Sequence, residues 1–199
     1  MLRWLKQKAE TRRIGHEIYE RIVAQAREPV FFSDMRVPDT MEGRLEMIVL
    51  HLSLMLDRLR TEGAPGQRLG QHLMEHLMAD YDDALRQIGI GDMGVPRRIQ
   101  KAAAAFTERN HAYRAALGER ASDTLEAVLA AHVFGAGSDA GAPPDIASAD
   151  VARLAAYVRA ARRFLAELPA DRLFEGRDLF QAPGQALDRT AKRAEDMRP

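Results

Sequence analysis

Apolar residues recur along this chain in steps of three and four, and nowhere in the alternation of two that a half-buried strand requires. The spacing predicts a first helix from Leu2 to Arg27, with Leu5, Ala9, Ile18, Ile22 and Val23 on one side and Lys6, Lys8, Arg12, Arg13 and Arg21 around the rest. Pro29 and Pro38 bracket a segment of mixed polarity that reads as a linker. Asp39 and Glu42 then stand at capping-box spacing. They open a second helix, Thr40 to Thr61, in which Met41, Leu45, Ile48, Leu52, Met55 and Leu59 form a stripe that Val49, Leu50, Leu54 and Leu56 widen. A helix apolar around most of its circumference belongs in the centre of a fold.

Gly63, Pro65 and Gly66 read as its stop. A third helix follows from Gln67 to Ile88, with Leu69, Leu73, Leu77, Tyr81, Leu85 and Ile88 inward. The turn from Gly89 to Gly94 separates it from a fourth, Val95 to Leu117, whose first turn accommodates Pro96. Ile99, Ala102, Phe106, Tyr113 and Leu117 are its core positions. A fifth helix is expected from Ser122 to Phe134, a Gly/Pro-rich linker over 135–147, and a sixth helix from Ser148 to Leu168 carrying Val151, Leu154, Val158 and Leu165. One further turn is expected at Asp171 to Glu175, and 182–199 reads as a polar, less ordered tail. The fold class is therefore all-α: a compact bundle of about six helices. Residues 1–134 form its main domain, and 148–199 pack on the same domain as a C-terminal helix and tail.

Composition narrows the function classes. The 199 residues carry 29 basic and 29 acidic side chains, a balance that argues against DNA binding. The chain has no cysteine, which excludes disulfides, thiolate metal sites and a cysteine nucleophile. No apolar run reaches the roughly 18 residues of a membrane span. The basic start, Met1 to Arg13, lacks the apolar stretch of a secretory signal and the serines of a transit peptide, so it reads as part of the folded protein in a bacterial-type cytoplasm.

Several groups of residues bear on chemistry. His72 and His76 lie one helical turn apart, with Glu75 between them and Asp80 a turn further, a spacing that suits a shared metal or haem iron. The order His-Leu-Met-Glu-His displaces the carboxylate from the place a metalloprotease base occupies, so a solvated polar face is the simpler reading. The remaining histidines, His16, His51, His111 and His132, are scattered and read as packing residues. No strand precedes Gly89 to Gly94, so a helix–helix turn is favoured over a nucleotide cradle, with Asp92 capping the helix that follows. Asp80, Asp82 and Asp83 read as a solvated acidic face.

Arg97, Arg98 and Lys101 sit where the helix dipole disfavours cations, so a partner supplying negative charge is expected there. Phe31, Phe32 and Met35 form either an exposed partner-binding patch or a staple over the core. The first helix, with Trp4, is a candidate for contact with an anionic membrane surface. The nine methionines, Met35, Met47, Met55, Met74, Met78 and Met93 among them, suit either an adaptable apolar surface or a core. No catalytic set, metal site or cofactor is expected.

Several pieces, in order, resemble the ubiquinol–cytochrome c chaperone family: Val37-Pro38-Asp39-Thr40; Leu50-His51-Leu52 with Leu59-Arg60; Met78-Ala79-Asp80 leading to Leu85-Arg86; Gly89-Ile90-Gly91-Asp92 with Val95 and Arg98; and Phe106 with Tyr113 to Leu117. The block from Phe31 to Leu117 carries the likeness, and residues after about Ala136 carry none. The family pattern Phe-aromatic-Gly-Arg is here Phe106-Thr107-Glu108-Arg109. The resemblance implies a non-enzymatic helical chaperone for assembly of the cytochrome bc1 complex. Its implied partners are newly made cytochrome b or another bc1 subunit and the ribosome. Its implied place is the cytoplasm or the inner face of the cytoplasmic membrane. Phe31, Phe32, Met35, Asp92, Arg97, Arg98 and Lys101 are the expected partner-binding residues. The competing reading is a helical metal- or haem-binding protein using His72 and His76.

Overall fold

A computed structural model describes residues 2–87, 95–118, 123–135 and 147–186. Among these there is no strand. Five long helices form the bundle: α1 (Leu2–Ala26), α3 (Met41–Leu59), α4 (Gly63–Gln87), α5 (Val95–Gly118) and α7 (Ser148–Glu167). Shorter pieces are α2 (Pro29–Ser33), α6 (Asp123–Leu129) and α8 (Ala170–Glu175).

α3 is the central helix, as its broad apolar circumference predicts. Met47, Leu50, Leu52, Leu54, Met55 and Leu59 are all buried, and α1, α4, α5 and α7 pack around it. α1 contributes Ile18, Tyr19, Ile22 and Ala26, and α7 contributes Leu154, Tyr157, Val158 and Leu165. Each buried Leu or Ile adds roughly 1.5–3 kcal/mol relative to exposure.

The local structure departs from expectation in four places. Pro29 to Ser33 is helical, because proline at the first helical position gives up no needed hydrogen bond. Thr40, not Asp39, caps α3: its hydroxyl accepts from the Gly43 amide at 3.0 Å, while Asp39 pairs with Arg44 at 2.5 Å. Gly63, Pro65 and Gly66 do not stop the chain. A 3₁₀ turn, Arg60–Glu62, leads straight into α4, and Gly63 makes the break with a left-handed φ of 59°. α6 runs on as a π-helical turn, Ala130–Phe134, which buries Val133 and Phe134.

After α8, Gly176 (φ 69°) and Asp178 (φ 51°) turn the chain back across the bundle. Leu179 and Ala186 are buried there. The tail therefore joins the core as far as residue 186. The turn at 89–94, most of the linker at 135–147 and the remainder of the tail lie outside the described residues.

Candidate functional site

The sequence-expected residues separate. Phe31 and Met35 are fully buried. The Phe31 ring meets His51 and Tyr157 edge-on, with centroids at 5.4 and 4.9 Å. These two residues do not form an exposed patch: they staple the segment after α1 onto the core, because a large apolar side chain is more stable buried than in water. Phe32 stays partly exposed with the Arg44 guanidinium over its ring at 5.4 Å. Arg97, Arg98 and Lys101 are exposed together at the start of α5. Asp92 lies outside the described residues.

The methionines belong mostly to the core. Met35, Met47 and Met55 are buried, and Met74 and Met78 pack against the core from its edge. Met93 lies outside the described residues. Met41 alone is an exposed large apolar side chain among the described residues, at 65%.

The histidine pair of α4 divides its contacts. His72 Nδ1 is 2.9 Å from Glu75 Oε2, while the His76 ring lies against His16 at 5.2 Å and stacks on Tyr19 at 5.7 Å. Tyr19 donates its hydroxyl proton to Asp80 at 2.8 Å. This is a polar seam between α1 and α4. Among the described residues no three histidine or carboxylate side chains are grouped as ligands for a metal ion. No described helix is long and apolar enough to cross a membrane.

Two buried polar centres join residues that lie far apart in sequence. The first is a hydrogen-bond chain through the middle of the bundle. His51 Nδ1 lies 2.8 Å from the Met47 carbonyl oxygen, so that nitrogen carries the proton. Nε2 then accepts from the Tyr157 hydroxyl at 2.8 Å, and Tyr157 accepts from Gln25 Nε2 at 3.1 Å. Gln25 also donates to the Gln181 carbonyl at 2.9 Å. The Phe180 ring closes this centre, edge-on to His51 at 5.2 Å. Burial holds the His51 pKa down to about 4, so the ring is neutral at neutral pH.

The second centre lies between α3 and α5. Glu46 is buried, and Arg109 Nε sits 2.6 Å from its Oε1. The contact is a close ion pair in which the N–H of Nε is poorly aligned with Oε1. Glu46 Oε2 and the Tyr113 hydroxyl are buried with no hydrogen-bond partner, and so is Ser53 Oγ, two turns along α3 from Glu46. Burial, opposed by Arg109, pushes the Glu46 carboxyl up to about 7. An unsatisfied buried polar atom costs about 1–3 kcal/mol. Arg109 is the last residue of the altered Phe106–Arg109 stretch, which was the only sequence signal near this centre.

Arginines clasp the outside of the bundle. Arg58 donates to the carbonyls of Leu165 and Leu168 at 2.8 and 2.9 Å and pairs with Glu62, capping α7. Arg162 donates to the Leu117 carbonyl at 2.8 Å and contacts Asp57 at 3.3 Å. Arg159 grips Glu126 with both terminal nitrogens.

The sequence model of the ubiquinol–cytochrome c chaperone family matches residues 33–180, from the end of α2 to the segment that covers His51. The chain belongs to the ubiquinol–cytochrome c chaperone family. No curated protein matches it. The crystal structure of the Cbp3 homolog from Brucella abortus is similar to it, with 34% identity and a TM-score of 0.78 over 92% of this chain and 98% of that one. The family match runs well past Ala136, beyond the block that carries the likeness in sequence. The physical reason is visible in this chaperone: Tyr157 and Phe180 supply part of the shell around His51, so the later helices belong to the same core.

Proposed function

We propose that this protein is an assembly chaperone that holds newly made cytochrome b, or another bc1 subunit, during biogenesis of the cytochrome bc1 complex. The family match over residues 33–180 carries this reading. It spans the central helix and every helix described as packing on it except α1. The Brucella abortus likeness extends over most of the chain.

In this reading Arg97, Arg98 and Lys101 are the partner-facing cations. All three are exposed, and an anionic partner offsets the unfavourable placement of positive charge at a helix start. Phe32 adds an apolar contact, and Asp92, three positions before Val95 in sequence, is the remaining candidate contact. The protein works in the cytoplasm, with contacts to the ribosome and, through α1, to the inner face of the membrane.

Deleting the gene in a host that makes a bc1 complex tests the reading. Assembled cytochrome b, measured by its reduced absorbance and by native gel, is expected to fall. Unchanged cytochrome b and unchanged bc1-dependent growth would sink it.

A further inference from the structure

In the closed bundle Met41 is the one large apolar side chain exposed among the described residues. The other large apolar side chains whose burial is described are buried or only partly exposed. Apolar surface is stored on α3, under the helices that pack on it.

Those helices are attached by different chemistry, and α5 packs on α4 and α6 as well as on α3. α7 is tied to α3 by the Tyr157–His51 hydrogen bond and by Arg58 and Arg162. α1 inserts Ile18, Tyr19, Ile22, Val23 and Ala26 into the core. α5 is 24 residues long, yet Phe106, Tyr113 and Ala116 are its only buried apolar side chains among those described. The middle of its seam with α3 holds the Glu46–Arg109 pair, whose second carboxylate oxygen is unpartnered, beside the unpartnered Tyr113 hydroxyl. Ser53, on the same stripe of α3 as Glu46, is unpartnered too. Polar atoms left unsatisfied inside a seam favour its opening over a closed state that cannot pair them. The far end of α5 is held differently, by Arg162 on the Leu117 carbonyl.

We infer that α5 is a movable cover, hinged at its Leu117 end, and that the α3 surface beneath it receives an apolar helical segment bearing one basic side chain, which replaces Arg109 at Glu46. When α5 leaves, Arg109 and Tyr113 leave with it, and the Glu46 carboxylate remains on an apolar face. A lysine or arginine within an otherwise apolar segment supplies the missing charge and donors. This inference rests on the chaperone reading proposed above.

The test uses the full chain and two probes. Hydrogen exchange read by mass spectrometry on the wild type is expected to show α5 amides exchanging at least tenfold faster than α3 amides, with Tyr113→Phe slowing α5 selectively. Two synthetic 20-residue leucine/alanine helices, one with a central lysine and one with leucine there, are then titrated in mild detergent. The lysine peptide is expected to bind the wild type roughly tenfold tighter, the size of one charge-assisted hydrogen bond. The preference should vanish in Glu46→Gln. Protection of α5 equal to that of α3 overturns the inference, as does equal binding of the two peptides to the wild type. Neither readout depends on bc1 assembly. An opening α5 with a normal deletion phenotype would therefore sink the functional proposal and leave this one standing.

Discussion

Tyr157 on α7 donates its hydroxyl proton to His51 Nε2 on α3 over 2.8 Å, inside a core where neither side chain reaches water. The two residues are 106 positions apart in sequence. With Met47 fixing the tautomer and Gln25 donating to Tyr157, every polar atom of the pair is used. The bond locks α7 against the central helix.

Tyr157→Phe removes a donor that His51 cannot replace. Stability to urea is expected to fall by about 1–3 kcal/mol, the cost of an unpaired buried acceptor. Combining it with His51→Leu should cost less than the sum of the two single changes, with a coupling of at least about 0.5 kcal/mol in a double-mutant cycle. Full additivity would contradict the bond.

The two buried centres pull stability in opposite directions with pH. The His51 pKa lies near 4 when folded against 6.5 ordinarily, so the unfolded chain binds the extra proton in that window and stability falls as pH falls through it. Glu46 lies near 7 when folded against 4.5, so the native chain holds the extra proton and stability falls as pH rises through that window. The two slopes offset one another between about pH 4.5 and 6.5. In Glu46→Gln the opposing slope is gone. Its stability should climb more steeply with pH there, by up to about 1.4 kcal/mol per pH unit. Urea midpoints at four pH values read this directly, and parallel curves would refute it.

Much of the bundle was legible because helical periodicity is local. The stripe on α3 follows from residues three and four apart, and so do the ends of α1, α5 and α7 to within a residue or two. The sites were less legible because they join distant residues. Nothing near His51 in sequence announces Tyr157 or Phe180, and nothing near Glu46 announces Arg109. Gly63, Pro65 and Gly66 looked like a stop because turn chemistry and first-turn chemistry use the same residues. Phe31 read equally well as surface or staple, and only the rings of His51 and Tyr157 decide for the staple.

The joint between α3 and α4 depends on one missing side chain. A Cβ on Gly66 would lie 2.0 Å from the Leu59 carbonyl oxygen and 2.9 Å from Glu62 Cβ. Gly66→Ala is expected to cost about 3 kcal/mol or more. A Cβ on Gly118 would meet nothing within 4 Å among the described residues, and Gly118→Ala should raise stability by about 0.5 kcal/mol. Thermal denaturation of both variants separates a forced glycine from a free one.

Arg58→Met should free the last carbonyls of α7. The expected loss is about 1–3 kcal/mol, with faster amide exchange confined first to the end of α7 and the start of α8. Unchanged exchange there would show that the guanidinium holds nothing in place.

The central claim is that the folded protein holds a bc1 subunit before the complex is complete. Affinity capture of the tagged full chain from native membranes, with mass spectrometry of what it retains, tests this most directly. The account predicts cytochrome b in the wild-type capture, depleted when Arg97, Arg98 and Lys101 are changed together to glutamate. A wild-type capture without cytochrome b or any other bc1 subunit, from cells that assemble the complex, would contradict it.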